Sequence, residues 1–262
     1  MTEEIATGDA RIDLKFADAV ATLTINRPEK LNALDFAMIT ALEQAAALID
    51  NHSGLRVAIL TGKGEKSFCA GGDIEAWSAL PADEFAMRWV RHGHRAFDAL
   101  ARMRCPLIAV LNGHCLGGGL ELAATADFRI AEAHVKVGLP ETGIGIIPGW
   151  SGTQRAVRRF GPVAIKRMSL FGEVWNAQEA CGMGVVDVVV GKGKGLAAAM
   201  DMATSLCGRS PKATLLAKLM INVAEGEEQA AAIEALAAHT AAASEDLREG
   251  IAAFRGKRKP AF

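Results

Sequence analysis

Two stretches of this 262-residue chain, RVAILTG (Arg56–Gly62) and PLIAVLNG (Pro106–Gly113), are apolar at nearly every position. A strand with one face in water alternates apolar and polar residues. A run without that alternation is buried on both faces, which calls for helices on each side of a sheet. Helix-spaced segments do stand between the strands. FAMITALEQAAALID follows Asp35, a residue able to cap a helix, and Phe85 to Met103 has similar spacing. Ile12–Phe16 and Val20–Ile25 add two β-rich runs, and NRPEKLNAL reads as a turn. The pattern predicts an α/β core. From Gly195 to Phe254 the composition becomes Ala- and Leu-rich and helix-prone. The chain is therefore expected to divide into a core over 1–194 and a helical C-terminal region over 195–262, packed on the core or exposed for assembly.

Half of the residues are hydrophobic, enough for a sizeable core. A net charge of -1 points to neither nucleic acid nor a membrane surface as partner. No apolar run reaches bilayer length, and the opening MTEEIATGDARID is polar and acidic, unlike a secretion or transit signal. Five cysteines without a CxxC pair read as reduced thiols of a cytoplasmic protein. The chain has no tyrosine, which removes one candidate general acid.

Two glycine loops follow apolar strands and precede helix-forming runs: FCAGGDI (Phe68–Ile74) and GGGLE (Gly117–Glu121). Glycine lets the main chain approach a ligand closely, and a helix N-terminus leaves N–H groups with partial positive charge. Two such groups converging on one point would stabilise a carbonyl oxygen as it becomes an oxyanion. Each loop alone is also what a tight strand-to-helix turn requires. Glu121 lies in the apolar run LELAATA, and a second acid, Glu141, lies in the apolar loop VGLPETGIGIIPG, where it could equally support a helix start. Known phosphate and nucleophile motifs are absent. Neither loop contains GxxxxGK[ST], GIGIIPG has proline where GxGxxG needs glycine, and GWSGT fails the spacing of G-x-S-x-G. His92 and His94 fall in a predicted helix, where i and i+2 do not share a face, so they read as a solvated pair rather than a metal site.

NRPEKLNAL, SFCAGGDI, NGHCLGGGLELAATAD, GLPETGIGIIPGWSGTQR, the segment GPVAIKRMSLFGEVWNAQEACGMGVVDVVV and the closing REGIAAFRGKRKPAF together resemble the enoyl-CoA hydratase/isomerase, or crotonase, family. The resemblance implies a crotonase-like spiral of repeated ββα units with a C-terminal helical trimerisation region. It implies a homotrimer or dimer of trimers, and an acyl-CoA substrate with no cofactor and no metal, coenzyme A being part of the substrate. The family's oxyanion hole maps to the N–H groups of Gly72 and Gly118, and the two acids of its hydratases to Glu121 and Glu141. Gly149 maps to a group that helps to place the attacking water. Ala33, Ala70, Gly72, Asp73, Ile74, Gly118 and Trp150 are expected along the substrate, and Lys257 matches a basic position that reaches coenzyme A phosphates.

Acids at both hydratase positions favour hydration of a 2-enoyl-CoA over double-bond isomerisation, which needs one base and no water-holding pair. They also oppose a non-enzymatic role in holding acyl-CoA or RNA. Glu121 is expected to activate the water and Glu141 to protonate C2. Trp150 and Ser151 depart from the small residues common there. An indole at 150 could narrow the acyl pocket, or it could face outward or pack in the core. The basic run GKRK (Gly256–Lys259) reads either as a solvated tail or as the phosphate contact.

Overall fold

The computed structural model describes residues 2–262. Among these residues, eleven strands form two sheets. They are β1 (Thr2–Ile5), β2 (Ile12–Ala17), β3 (Val20–Ile25), β4 (Val57–Gly62), β5 (Ser67–Cys69), β6 (Leu107–Leu111), β7 (His114–Leu116), β8 (Phe128–Glu132), β9 (Lys136–Gly138), β10 (Val174–Asn176) and β11 (Val188–Val190). The larger sheet has the order β1-β2-β3-β4-β6-β8-β11, antiparallel through β3 and parallel beyond it. The smaller has the order β10-β9-β7-β5.

The repeat is a long strand, a tight turn, a short strand and a helix. β4 leads to β5 and the helix Ile74–Trp77. β6 leads to β7 and the helix Gly118–Ala123. β8 leads to β9 and a 3-10 turn, Glu141–Ile144. Each pass puts its long strand in the large sheet and its short one in the small sheet. The short strands β5, β7 and β9 run parallel, so the glycine loop after β5 and the glycine loop after β7 leave the small sheet side by side. This is the ββα spiral that the family resemblance implied.

Strand alternation explains the apolar runs. In β4 and β6, Ala58, Leu60, Leu107 and Ala109 join the main core, together with Leu42 and Ala46 of the helix Phe36–Asn51 and Phe97 of the helix Arg91–Ala101. Their neighbours Val57, Ile59, Ile108 and Val110 face the other way and meet Ala199 and Ala203. Those alanines lie on the helix Gly195–Cys207, whose start is tied to Glu132 by the amides of Gly193 (2.7 Å) and Gly195 (3.2 Å).

By its contacts the chain divides into two compact units, Met1–Lys218 and Leu219–Phe262. The helix Gly195–Cys207, which the sequence groups with the C-terminal region, covers the large sheet of the first unit. The second unit contains the helices Gln229–Ala242 and Glu245–Arg255, the latter capped by the Ser244 hydroxyl. Within it Arg258 makes a two-pronged ion pair with Glu249, which also accepts the Ala261 amide, so this part of the GKRK run is not a free solvated tail.

The histidines differ from expectation. His92 Nε2 lies 3.1 Å from Thr40 Oγ1 and His94 Nδ1 lies 3.2 Å from Ser151 Oγ. Both rings are half-buried, and burial lowers both pKa values. They are separate packed residues, not a solvated pair.

Candidate active site

The two glycine loops meet. In the first, Gly71 has φ 95°, and its carbonyl accepts the Leu34 amide while the Asp73 amide donates to the Leu34 carbonyl, each at 2.8 Å. A parallel bridge of this kind uses the groups on either side of Gly72, so the Gly72 N–H points away from Leu34. In the second, Gly117 has φ 56° and its amide is held by the Gly138 carbonyl at 2.9 Å. The helix Gly118–Ala123 starts there, and the N–H of its first residue has no partner within the helix. Among the described residues no acceptor takes the N–H of either Gly72 or Gly118. The approach is close enough that a Cβ on Gly71 would stand 2.9 Å from the Gly118 nitrogen, which is why the loops are glycine.

Both amide positions open on a cleft of about 290 Å³. Ala70, Gly72, Ile74, Gly118, Glu121, Glu141, Gly149 and Trp150 all line it. Ala33 and Asp73 do not. The Ala33 carbonyl accepts from Arg27, and the Asp73 carboxylate pairs with Arg27 at 2.8 Å while capping the helix Ile74–Trp77 through the Glu75 amide. Lys257 belongs to the second compact unit, where it is exposed with φ 50°.

Glu121 is 2% exposed. One of its oxygens, Oε1, accepts the amides of Trp150 at 2.7 Å and Gly152 at 2.6 Å. Burial pushes its pKa up to about 8, the Glu141 carboxyl adds to the rise, and the amides of Trp150, Gly152 and Gly149 oppose it. The Gly149 amide, which the resemblance assigns to water, lies on the same turn and favours the charged form of Glu121. Glu141, at the start of the turn Glu141–Ile144, is 8% exposed, and burial raises its pKa to about 7. Neither of its oxygens has a hydrogen-bond partner. Two buried carboxyls on one cleft cannot both ionise cheaply, so the pair holds a proton near neutrality.

Trp150 is 3% exposed and both packs and lines. Its ring lies against Trp89 (centroids 5.1 Å apart) and Phe97 (5.2 Å), and its Nε1 donates to the Trp89 carbonyl at 3.4 Å. The six-membered edge of the indole stands beside both amide loops, where a Cβ on Gly118 would meet it at 2.8 Å and one on Gly72 at 3.2 Å. The core and cleft-wall readings of Trp150 are therefore both true, and the outward-facing reading is not.

Sequence reasoning missed the other aromatic residues of this wall, Trp77, Phe85 and Trp89, and aliphatic ones such as Val90, Ile144 and Ile147. Three of the chain's four tryptophans line one cleft, in a protein with 5% aromatic residues. That scarcity was an available signal. Phe85–Val90 also winds as a π-helix, a form enriched at functional sites.

The model of the enoyl-CoA hydratase/isomerase family matches residues 15–262. A crotonyl-CoA hydratase of Syntrophomonas wolfei is 38% identical over 96% of this chain and 97% of its own length. A short-chain-enoyl-CoA hydratase of Clostridium acetobutylicum is 36% identical over 92% of each chain. The crystal structure of an enoyl-CoA hydratase from Bacillus anthracis superposes with a TM-score of 0.80 at 32% identity, covering 96% of this chain and 98% of that one. Matched by the family model over nearly its whole length and by full-length relatives at 36–38% identity, the chain belongs to the enoyl-CoA hydratase/isomerase family.

Proposed function

We propose that the protein adds water across the 2,3 double bond of a 2-enoyl-CoA thioester, as a step in acyl-CoA metabolism. The observation that carries the reading is the presence of two raised, buried carboxyls on the same cleft as the two unpartnered amides of Gly72 and Gly118. The thioester oxygen accepts from both amides, which makes C3 electrophilic. One donor of this kind is worth roughly 3–4 kcal/mol of barrier. A water held between the carboxyls loses a proton to Glu121 as its oxygen bonds to C3. The charge moves onto the thioester oxygen, and collapse of that enolate takes a proton from Glu141 at C2. Glu121 has gained one proton and Glu141 has lost one, so the pair still holds a single proton.

Two effects compete for the resting charge. Burial is deeper at Glu121, whereas the amide donors favour charge there. Substrate filling the cleft buries Glu141 as well and leaves the amides as the deciding difference. We therefore assign the base to Glu121 and the acid to Glu141.

The reading includes an acyl-CoA partner and no nucleic acid, cofactor or metal. It includes association through the helical C-terminal region into trimers or paired trimers, with Lys257 reaching coenzyme A phosphates. Five unpaired cysteines fit a reducing, cytoplasmic setting. The test is the conjugated thioester absorbance of crotonyl-CoA, which purified protein should abolish. Appearance of that absorbance from a 3-enoyl-CoA, with crotonyl-CoA untouched, would instead identify an isomerase. Light scattering at micromolar concentration tests the assembly, and a monomer would overturn it.

A further inference from the structure

Ser151 sits between the two amides that hold Glu121 Oε1, and its backbone takes φ 83°. Glycine enters this left-handed region freely and serine does not. Glycine occupies Gly143, Gly145, Gly149 and Gly152 nearby, so a serine at 151 needs a reason. Its hydroxyl supplies one, lying 3.2 Å from Nδ1 of His94 on the helix Arg91–Ala101. The Ser151 carbonyl accepts the amides of Gln154 and Ala156, at 3.2 and 3.1 Å. The residue is thus held on both sides and is 7% exposed. The His94 ring is faced by Asp98 on its own helix and by Arg155 at the start of the helix Arg155–Phe160, and these two are paired at 2.6 Å. Burial lowers the His94 pKa, Asp98 opposing and Arg155 adding, so the ring is neutral at neutral pH and can share one hydrogen with the serine hydroxyl.

We propose that Ser151 and His94 are a positioning pair, whose hydrogen bond fixes the peptides on either side of Ser151 so that the Trp150 and Gly152 N–H groups meet at one oxygen of Glu121. Neither residue lines the cleft. They act through Glu121, and the inference rests on its reading as the base. With Oε1 taken by two donors, Oε2 is the oxygen left to receive a proton from water. The titratable group that acts most strongly on Glu121 is Glu141.

The test compares Ser151→Ala, His94→Ala, His94→Asn and the Ser151→Ala/His94→Ala double variant with the wild type on crotonyl-CoA. Each alanine variant should lose about tenfold in kcat, the scale of one hydrogen bond to a charged group, while KM changes less than about twofold. His94→Asn, which keeps a polar atom near the place of Nδ1, should recover most of the loss, and the double variant should be no worse than either single one. Infrared titration of the Glu121 carboxyl, assigned by subtracting Glu121→Gln, should show its midpoint rising in both alanine variants, because donors that favour the ionised form are lost. Wild-type kcat with an unmoved midpoint would overturn the pair, as would additive losses or an asparagine variant as impaired as alanine. His94→Ala leaves the turn's own sequence intact and carries the test should Ser151→Ala not fold. If the wild type hydrates no enoyl-CoA, the proposed function fails, and the infrared midpoint still decides the pair.

Discussion

A Cβ on Gly93 would overlap the indole nitrogen side of Trp150, so the glycine is the socket that admits the ring. Gly93 is buried inside the helix Arg91–Ala101. Glycine in a helix interior is about 1 kcal/mol worse than alanine. The space it leaves is therefore the reason for its presence. Gly93→Ala should destabilise the protein by about 1–3 kcal/mol in urea unfolding, despite the gain in helix propensity. In a Trp150→Ala background the same change should be neutral or stabilising. Equal effects in the two backgrounds would mean that the contact is not coupled.

Trp150 itself should show two effects at once. Removing a buried indole leaves a cavity and lowers stability by roughly 3–5 kcal/mol. Because the ring also forms cleft wall beside Gly72 and Gly118, the cavity opens into the cleft. Trp150→Ala should keep short-chain turnover and raise kcat/KM for longer enoyl-CoAs by about tenfold, as expected for one or two methylenes admitted to an apolar pocket. A chain-length series run beside the melting temperature separates the effects. An unchanged profile would reduce Trp150 to a core residue.

The fold was legible where burial leaves a mark on sequence. β4 and β6 are covered on both faces, so they lack alternation, and β2 and β3 were read within a residue of their ends. β1 was missed because Thr2–Ile5 is polar and largely exposed, and it joins the sheet through its pairing with β2. β5, β7 and β9 are three residues each and look like loop, yet they set the two glycine turns side by side. The convergence of Glu121 with Glu141 was legible by resemblance alone, since no spacing rule brings residues 20 apart into one cleft. Ser151 and His94, or Trp150 and Trp89, meet through tertiary packing that leaves no local pattern.

The two carboxyls should be separately indispensable. Glu121→Gln keeps an oxygen for the Trp150 and Gly152 amides but cannot take a proton from water. Glu141→Gln has no acidic proton for C2. Each should cut hydration by at least about a hundredfold, the usual scale for a general acid or base. Binding of a non-reactive acyl-CoA, measured by calorimetry, should change far less. Near-normal turnover in either variant would rule out the two-carboxylate mechanism.

The same pair should leave a signature in stability against pH. The folded-state values, about 8 for Glu121 and about 7 for Glu141, lie above the ordinary glutamate value of 4.5. Between pH 4.5 and about 8 the folded protein therefore holds protons that the unfolded chain has released. Stability from this source is fully present below 4.5 and is lost as pH rises through 7 and 8, because the unfolded state binds fewer protons there. Other groups titrate in the same window, so the comparison is with Glu121→Gln/Glu141→Gln, which lacks only these two ionisations. Urea unfolding at intervals from pH 5 to 9 should show the double variant gaining stability over the wild type as pH rises, with the difference levelling off above about pH 8. A difference that stays constant, or that moves in favour of the wild type, would mean that the carboxyls are not raised in the folded protein. The single-proton pair proposed for catalysis would fall with them.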